Sequence, residues 1–325
     1  MKQPDRRQLL HLAAGAAMLA AAPRVARAQT YPTRPVRIMV GYPAGGVSDI
    51  FARLVGQWLS ERLGQSFVIE NRPGAGGTIA VDLVARSTPD GYTLLLSAAN
   101  DAYNEYLYPD LRFNYTRDIA PVASIALVPL VMEVNPSFPA KTVPEFINYA
   151  RVNPGKINFA SAGVGTGQHL CGVLFNMITG IDMFHVAYRG DIQAVTDLLA
   201  RHVEVYFGQL PASIEYLRAG RLRGLAVTSA ERIPGLTDIP TLGEFLPGFE
   251  YSGWFGIGAP GNTPVAIIEK LNREINAALA DPRMKSRIAD LGPVAFPTST
   301  AEFAKLIAAD TEKWVKVIRE ANIKL

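Results

Sequence analysis

From about residue 30 onward, short apolar runs alternate with longer segments whose apolar positions recur every three to four residues. Residues 36–40 predict a strand, and the segment after them predicts an amphipathic helix that starts near Ser48 or Asp49, either of which can cap it. The apolar face of this helix is formed by Phe51, Leu54, Val55, Trp58, Leu59 and Leu63. Strands that alternate with helices in this way are typical of an α/β fold.

The same pattern continues along the chain. Further strands are predicted at residues 67–69, 92–96, 157–160, 183–188, 203–207 and 254–257. Further helices are predicted at residues 78–88, 142–150, 168–179, 191–202, 264–280 and 301–321. Long extended stretches separate two groups of βα units, which favours two lobes joined by crossing strands. We expect residues 29–125 and 211–325 to form lobe I and residues 126–210 to form lobe II, with a return crossing near residue 210 or as late as residue 250.

The first 28 residues have the three parts of an export signal. Lys2, Arg6 and Arg7 precede an apolar stretch at residues 9–22, and residues 26–28 fit the small-x-small cleavage rule. An apolar run of about 14 residues is shorter than a membrane-spanning helix needs. We therefore expect a periplasmic mature chain that begins after cleavage at Ala28. The paired arginines leave both the Sec and the Tat export routes open.

The formal net charge of +3 comes from this leader. The leader contains five basic residues and one acid, so the rest of the chain contains 27 basic and 28 acidic residues. This balance argues against a nucleic-acid partner and against an anionic membrane surface. The single cysteine, Cys171, excludes an intrachain disulfide and a cysteine-based zinc cluster.

Residues suited to catalysis or metal binding are sparse. After the leader the histidines are His169, His185 and His202, and no two of them have the i, i+4 spacing of a helical metal pair. His169 and Cys171 are two positions apart, so on a helix they face away from each other. The sequence has no Gly-x-Ser-x-Gly motif and no acids that stand out as a catalytic pair. We expect no metal, no cofactor and no enzymatic activity.

Three glycine-rich loops, at residues 43–49, 73–78 and 161–169, each follow a predicted strand and precede a predicted helix. The N–H groups at such a helix start stabilise an anion by roughly 0.3–1 kcal/mol. None of these loops contains the Gly-Lys-Ser/Thr of a P-loop, and the glycines at 163, 165 and 167 depart from the dinucleotide-binding fingerprint. Each loop alone could be only a tight turn. The three together favour a small anionic ligand.

Nine short motifs make the sequence similar to a known receptor family. They lie at residues 31–36 (YPTRPV), 43–49 (PAGGVSD), 70–77 (ENRPGAGG), 89–94 (PDGYTL), 197–199 (DLL), 219–223 (AGRLR), 225–230 (LAVTSA), 238–241 (DIPT) and 254–256 (WFG). With these motifs in this order, the mature chain resembles the Bug-type periplasmic receptors of tripartite tricarboxylate transporters. The resemblance implies an α/β fold of the two-lobed type II periplasmic-binding-protein kind, with a ligand cleft between the lobes.

The resemblance also implies a function. A receptor of this family captures a small organic carboxylate and delivers it to membrane transporter subunits, and we expect this one to be a monomer. The implied ligand-binding residues are Tyr42, Ala44, Gly45, Gly46, Val47, Ser48, Asp49, Asn100, Ser161, Gly163, Gly165, Thr166, His169, Tyr188 and Gln209. Among them, Asp49 should serve as a cap, because its charge would repel a carboxylate.

Several positions depart from the family pattern. The family commonly has HVPYKG where residues 185–190 read HVAYRG, and an acidic-amide pair where this chain has Gly208 and Gln209. Tyr42 stands where phenylalanine is frequent. These positions are expected at the distal end of the pocket, so a dicarboxylic or aromatic acid fits the sequence at least as well as an amino acid does.

Two other functions are compatible with the same cleft. An exported hydrolase would convert a small carboxylate instead of only binding it. A periplasmic sensor would bind the ectodomain of a signalling membrane protein after ligand closure.

Overall fold

Residues 31–108 and 110–323 are described by a computed structural model. The predicted export signal and its cleavage site lie outside these residues. The elements below belong to one compact unit that begins at Arg34. Among the described helices, none is both long enough and apolar enough to span a membrane.

The described residues form ten strands and eleven α-helices. The strands are β1 (Val36–Val40), β2 (Phe67–Asn71), β3 (Thr93–Ala98), β4 (Ile119–Val134), β5 (Ile157–Ser161), β6 (Met183–Ala187), β7 (Val205–Gln209), β8 (Arg223–Val227), β9 (Ser252–Pro260) and β10 (Val294–Ala295). The helices are α1 (Val47–Leu63), α2 (Thr78–Ala85), α3 (Ala99–Tyr103), α4 (Tyr115–Asp118), α5 (Val143–Val152), α6 (Gly167–Thr179), α7 (Asp191–Ala200), α8 (Leu210–Arg218), α9 (Val265–Ala280), α10 (Pro282–Asp290) and α11 (Thr300–Glu320).

The strands lie in the order β2-β1-β3-β9-β4-β7-β5-β6, with β8 and β10 paired to β4. Two parallel groups, β2-β1-β3 and β7-β5-β6, occupy the two ends of this order. The antiparallel strands β9 and β4 lie between them. The strand-helix alternation predicted from the sequence is therefore confirmed, and the carboxyl ends of both parallel groups lead into glycine-rich loops.

Strand β4 connects the two groups. Its residues 119–129 pair with β9, whereas residues 130–134 pair with β7 and β8. The sequence predicted only an extended stretch here, because nearly every side chain of β4 is buried and no apolar-polar alternation marks the strand. The chain returns beside the same point, where Tyr251 N–H donates to the Thr228 carbonyl and Thr228 N–H donates to the Leu130 carbonyl.

The start of α1 differs from the prediction. The helix begins at Val47 with Gly46 as its N-cap, so the expectation that Ser48 or Asp49 caps it is wrong. The Asp49 carboxylate instead turns back to the preceding loop, where it accepts the Gly45 N–H at 2.9 Å, and it pairs with Arg53 at 2.8 Å. Although burial opposes ionisation, these partners hold the pKa of Asp49 below its usual value. Asp49 therefore stabilises the shape of the loop.

Other element boundaries agree with the sequence more closely. Thr142 is the N-cap of α5, as predicted, with its hydroxyl oxygen accepting the Glu145 N–H at 3.3 Å. Helix α2 ends at Ala85, three residues before the predicted end. Helix α8, which carries a proline in its first turn, was not predicted.

Candidate ligand-binding site

The loops at the carboxyl ends of the two parallel groups enclose a narrow cavity, here called the inner cavity. Its volume of 20 Å³ would hold about one water molecule. The β2-β1-β3 group contributes Tyr42, Ser48 and Asn100 to its wall, and the other group contributes Thr166 and Gln209. The start of β9, around Trp254, closes it from between the two groups.

Helices α1 and α6 both begin at the inner cavity. Ser48 lies in the first turn of α1, and residues 166–168 form the start of α6. Neither helix has a side-chain cap: Gly46 has no side chain, and the Thr166 hydroxyl donates to the Gly163 carbonyl at 2.7 Å instead. The first-turn N–H groups have no acceptor within their own helices. Two positive helix ends thus border one cavity, an arrangement that attracts an anion.

The lining of the inner cavity contains no lysine or arginine among the described residues. Its neutral polar groups are helix N–H groups, the hydroxyls of Tyr42, Ser48 and Thr166, and the amides of Asn100 and Gln209. Among the three hydroxyls, those of Tyr42 and Thr166 already donate to neighbouring oxygens, so Ser48 is the one left to donate to a ligand. One acid, Asp191, also lines the cavity. An anion at this place would therefore be held by dipoles and hydrogen bonds instead of by a countercharge.

Tyr42 lines both the inner cavity and a larger outer cavity of 640 Å³. Its hydroxyl oxygen lies 3.2 Å from the Gly76 carbonyl oxygen and 3.2 Å from Asn100 Oδ1. The amides of Asn100 and Asn104 also donate to the Gly76 carbonyl, at 2.8 and 3.1 Å. Burial and the nearby Asp101 raise the pKa of Tyr42, so the hydroxyl keeps its proton.

The loop between β5 and α6 is held by two histidines. Ser161 Oγ lies 2.6 Å from His185 Nε2, and His169 Nδ1 accepts the Gly165 N–H at 3.1 Å. The two imidazole rings stack with their centroids 3.9 Å apart. Burial lowers the pKa of His169 to about 4, and burial together with His169 lowers that of His185 to about 3. Both rings are neutral at pH 7 and shape the loop without adding charge.

The structure divides the ligand-binding residues predicted from the sequence into three sets. The inner cavity is lined by Tyr42, Ser48, Asn100, Thr166 and Gln209. The outer cavity is lined by Tyr42, Gly163 and Tyr188. Neither cavity is lined by Ala44, Gly45, Gly46, Val47, Asp49, Ser161, Gly165 or His169. Ligand contact by any of these residues stays a prediction.

Sequence reasoning missed part of the wall. Gln168, Asp191, Tyr251, Trp254 and Phe255 also line the inner cavity. Trp254 and Phe255 lie in a recognised family motif, which could have marked them, but nothing local connected Asp191 or Tyr251 with the cleft. Within the described part of the chain, no group of three His, Cys, Asp or Glu side chains could hold a metal ion.

Two groups of parallel strands, joined by shared antiparallel strands and facing each other across a cavity, define a two-lobed periplasmic binding protein. Residues 51–323 match the family model described as tripartite tricarboxylate transporter family receptor. The chain therefore belongs to this family and is a periplasmic solute-binding receptor, as the resemblance implied.

Individual relatives agree with this assignment. Protein BugT of Bordetella pertussis is 37% identical over 304 residues, which cover 92% of this chain and 92% of BugT. The structure of Rhodopseudomonas palustris Rpa4515 with adipate is 36% identical, with a TM-score of 0.88, and covers 91% of this chain and 100% of that one. The structure of MatC from Rhodopseudomonas palustris with bound malate is 31% identical, with a TM-score of 0.84, and covers 89% of this chain and 100% of that one.

Proposed function

We propose that this receptor binds a small organic carboxylate at the inner cavity, which widens from 20 Å³ as the two lobes open to admit the ligand, and delivers it to the membrane subunits of a tripartite transporter. The carboxylate group would lie between the N-termini of α1 and α6. The observation that supports this is that two helix starts without side-chain caps border one cavity whose described lining has no cationic side chain. The adipate and malate bound to Rpa4515 and MatC, both carboxylates, support the same ligand class.

We infer that the lobes meet where β4 changes partners. Lobe I would then contain the chain up to Pro129 and again from Ser252, and lobe II the segment from Leu130 to Val227. This division places the first crossing a few residues beyond residue 125 and favours the late return crossing. A ligand that touches both lobes would favour the closed arrangement by its higher affinity for it.

The Ser161–His185 pair is the one observation that favours a hydrolase, because a serine and a histidine at 2.6 Å can act as nucleophile and base. Other features oppose this role. Ser161 is fully buried and lines neither cavity. The rings stacked on His185 are His169 and Phe159, and no described carboxylate bonds to it. We propose that the pair shapes the loop and that ligands leave unchanged, which mass spectrometry after incubation with protein would test.

We also propose export by the leader, with cleavage after Ala28. Sequencing the N-terminus of the periplasmic protein should then give Gln29 as the first residue. The proposed site is complete within one chain, which supports a monomer, and light scattering should give the mass of a single mature chain.

A screen for stabilising ligands tests the carboxylate proposal directly. The protein would be purified from a periplasmic extract, unfolded and refolded to remove ligand, and heated with amino acids, dicarboxylates, tricarboxylates and aromatic acids. A ligand at 100 times its Kd should stabilise the fold by about 2.7 kcal/mol. If no carboxylate shifts the melting temperature, the proposal fails.

Ser48→Ala should weaken binding of the best carboxylate about tenfold. The Ser48 side chain lines the inner cavity, is 6% exposed and makes no hydrogen bond to a described residue, so its hydroxyl is available to a ligand. One lost hydrogen bond to a charged group is worth about 1.5 kcal/mol, close to one decade in Kd. Calorimetric titration would measure this, with Ser66→Ala, at an exposed serine, as the matched control. Equal Kd values for all three proteins would contradict the placement of the carboxylate.

Gly76→Ala should weaken binding about thirtyfold. Gly76 has a φ of +60°, and a Cβ added there would lie 3.0 Å from the Tyr108 hydroxyl, at the movable end of a side chain, and 3.2 Å from the Val164 carbonyl oxygen on the opposing loop. The substitution therefore crowds the approach of the two loops, at a cost of about 2 kcal/mol in the closed arrangement.

Gly155→Ala is the matched control, because Gly155 has a similar φ of +70° and no heavy atom within 4 Å of an added Cβ. It should lose stability from backbone strain and keep the affinity of the parent protein. If both variants lose affinity equally, the approach of the two loops has no part in binding.

A further inference from the structure

We propose that Asp191 determines ligand specificity by favouring carboxylates that also carry a hydrogen-bond donor, either a hydroxyl or an ammonium group. This inference rests on the proposed carboxylate site. Asp191 would accept the donor while the helix N-termini hold the carboxylate group.

Asp191 is a buried acid in the cavity wall. It is the first residue of α7, is 7% exposed and lines the inner cavity beside Gln168. Its Oδ1 atom accepts hydrogen bonds from Gln168 Nε2 at 2.9 Å and from Tyr206 Oη at 2.7 Å. No described side chain donates to Oδ2. The backbone N–H of Asp191 also hydrogen-bonds to its carboxyl group, so both side-chain donors reach Oδ1 and Oδ2 keeps a lone pair that can accept from a ligand.

The charge around Asp191 is unfavourable for a simple anion. No described lysine or arginine lines the cavity, and Glu133 is a second buried acid in the same lobe. Burial raises the pKa of Asp191, in opposition to the hydrogen bonds from Tyr206 and Gln168. A ligand with only a carboxylate would bring a like charge close to this group. A ligand with a donor as well offsets that repulsion by a hydrogen bond to Asp191.

The neighbouring strand explains how this acid is positioned. The family pattern has an acid where this chain has Gly208, and the structure shows why glycine is needed there. A Cβ at Gly208 would lie 2.8 Å from the Tyr206 ring and 2.9 Å from Glu133 Oε1. The absence of a side chain leaves room for Tyr206, whose hydroxyl orients Asp191. The acid of the cavity is thus supplied by the start of α7 instead of the end of β7.

A purely structural role for Asp191 makes a different prediction. An acid in the first turn stabilises a helix through its dipole. Removing such an acid would lower stability and leave ligand preference unchanged. The ratio of affinities for matched ligands, which does not depend on overall stability, therefore separates the two roles.

The test compares three acids with the same four-carbon skeleton. Succinate has no added donor, malate carries a hydroxyl group, and aspartate carries an ammonium group. The refolded, ligand-free protein would be titrated with each by calorimetry. We expect malate or aspartate to bind at least tenfold more tightly than succinate, and the better of the two identifies the donor. Asp191→Asn should reduce this preference to below threefold. Asp182→Asn, at an exposed acid just before β6, should keep it.

Several outcomes would overturn the inference. The inference is wrong if the parent protein binds succinate as tightly as it binds malate and aspartate. It is also wrong if Asp191→Asn keeps the same preference as the parent protein. If that variant fails to fold, Tyr206→Phe, which removes one of the two donors to Oδ1, should also reduce the preference.

If the four-carbon acids do not bind, the same comparison is made with propionate, lactate and alanine and with phenylpropionate, phenyllactate and phenylalanine. Binding of donor-free acids alone rejects the role of Asp191 and leaves the carboxylate receptor standing. No binding by any carboxylate rejects the proposed function itself.

Discussion

Glu133→Gln is expected to raise the free energy of unfolding by about 3 kcal/mol at pH 7 and to leave it nearly unchanged at pH 4. Glu133 lies in β4 and is completely buried. Its Oε1 atom accepts a hydrogen bond from the Ser213 hydroxyl, whereas Oε2 has no partner. Burial raises the pKa of Glu133 from 4.5 to about 8, against the effect of Ser213 and with a further contribution from Asp191.

The sign follows from proton binding. Between pH 4.5 and 8 the folded protein keeps the Glu133 proton that the unfolded chain releases. The free energy of unfolding of the parent protein therefore falls as the pH rises through this range. Glutamine has nearly the shape of the protonated acid and does not titrate. The variant should therefore match the parent protein at low pH and exceed it increasingly up to pH 8.

Urea unfolding of both proteins between pH 4 and pH 8 would measure this difference. Glu269→Gln, at an exposed glutamate of α9, is the control and should show no such trend. A Glu133→Gln variant that is less stable than the parent at pH 7 would show that Glu133 is ionised and stabilised by a partner.

Thr228→Val should lower the free energy of unfolding by about 3 kcal/mol. Thr228 is fully buried beside the point where β4 changes partners. Its hydroxyl accepts the Leu130 N–H at 2.8 Å and donates to the Tyr251 carbonyl at 2.8 Å. Valine has the same shape but leaves both backbone groups unpaired, and each buried unpaired group costs roughly 1–3 kcal/mol.

Thr228→Ser is the matched control because it keeps the hydroxyl and removes one methyl group. Thr228→Ser should lower the free energy of unfolding by about 1 kcal/mol, as expected when one methyl group is removed from the core. Urea unfolding at constant pH gives both values. If Thr228→Ser lowers the free energy of unfolding as much as Thr228→Val does, the methyl group of Thr228, and not its hydrogen bonds, stabilises the point where β4 changes partners.

Local sequence was sufficient to predict those strands and helices whose residues lie close together in the chain. The apolar run of β1 and the three-to-four-residue spacing of α1 predicted both elements, because burial of one face requires that spacing. Glycine-rich loops marked the helix starts that face the inner cavity. The ordered family motifs, together with these loops, indicated a receptor for a small anion.

The lining of the cavity depended on contacts that local sequence does not specify. Asp191 at the start of α7 and Tyr251 just before β9 both line this cavity, although they lie far apart in the sequence. In the sequence, Gly208 stands where the family has an acid. In the structure, Tyr206 and Glu133 occupy the space that a side chain at Gly208 would need. Such neighbours are separated by tens of residues, so no period in the sequence reports them.

The sequence by itself therefore determined the α/β pattern, the glycine loops and the receptor class, since each follows from adjacent residues or from ordered motifs. Only the tertiary structure decided where β4 crosses, which side chains face the ligand and which acids are buried. Those properties arise from contacts between distant segments, such as the hydrogen bond from Leu130 to Thr228 and the strand pairing of Glu133 with Tyr206. Burial then sets the charge state of the buried acids, because desolvation depends on every element packed around a group.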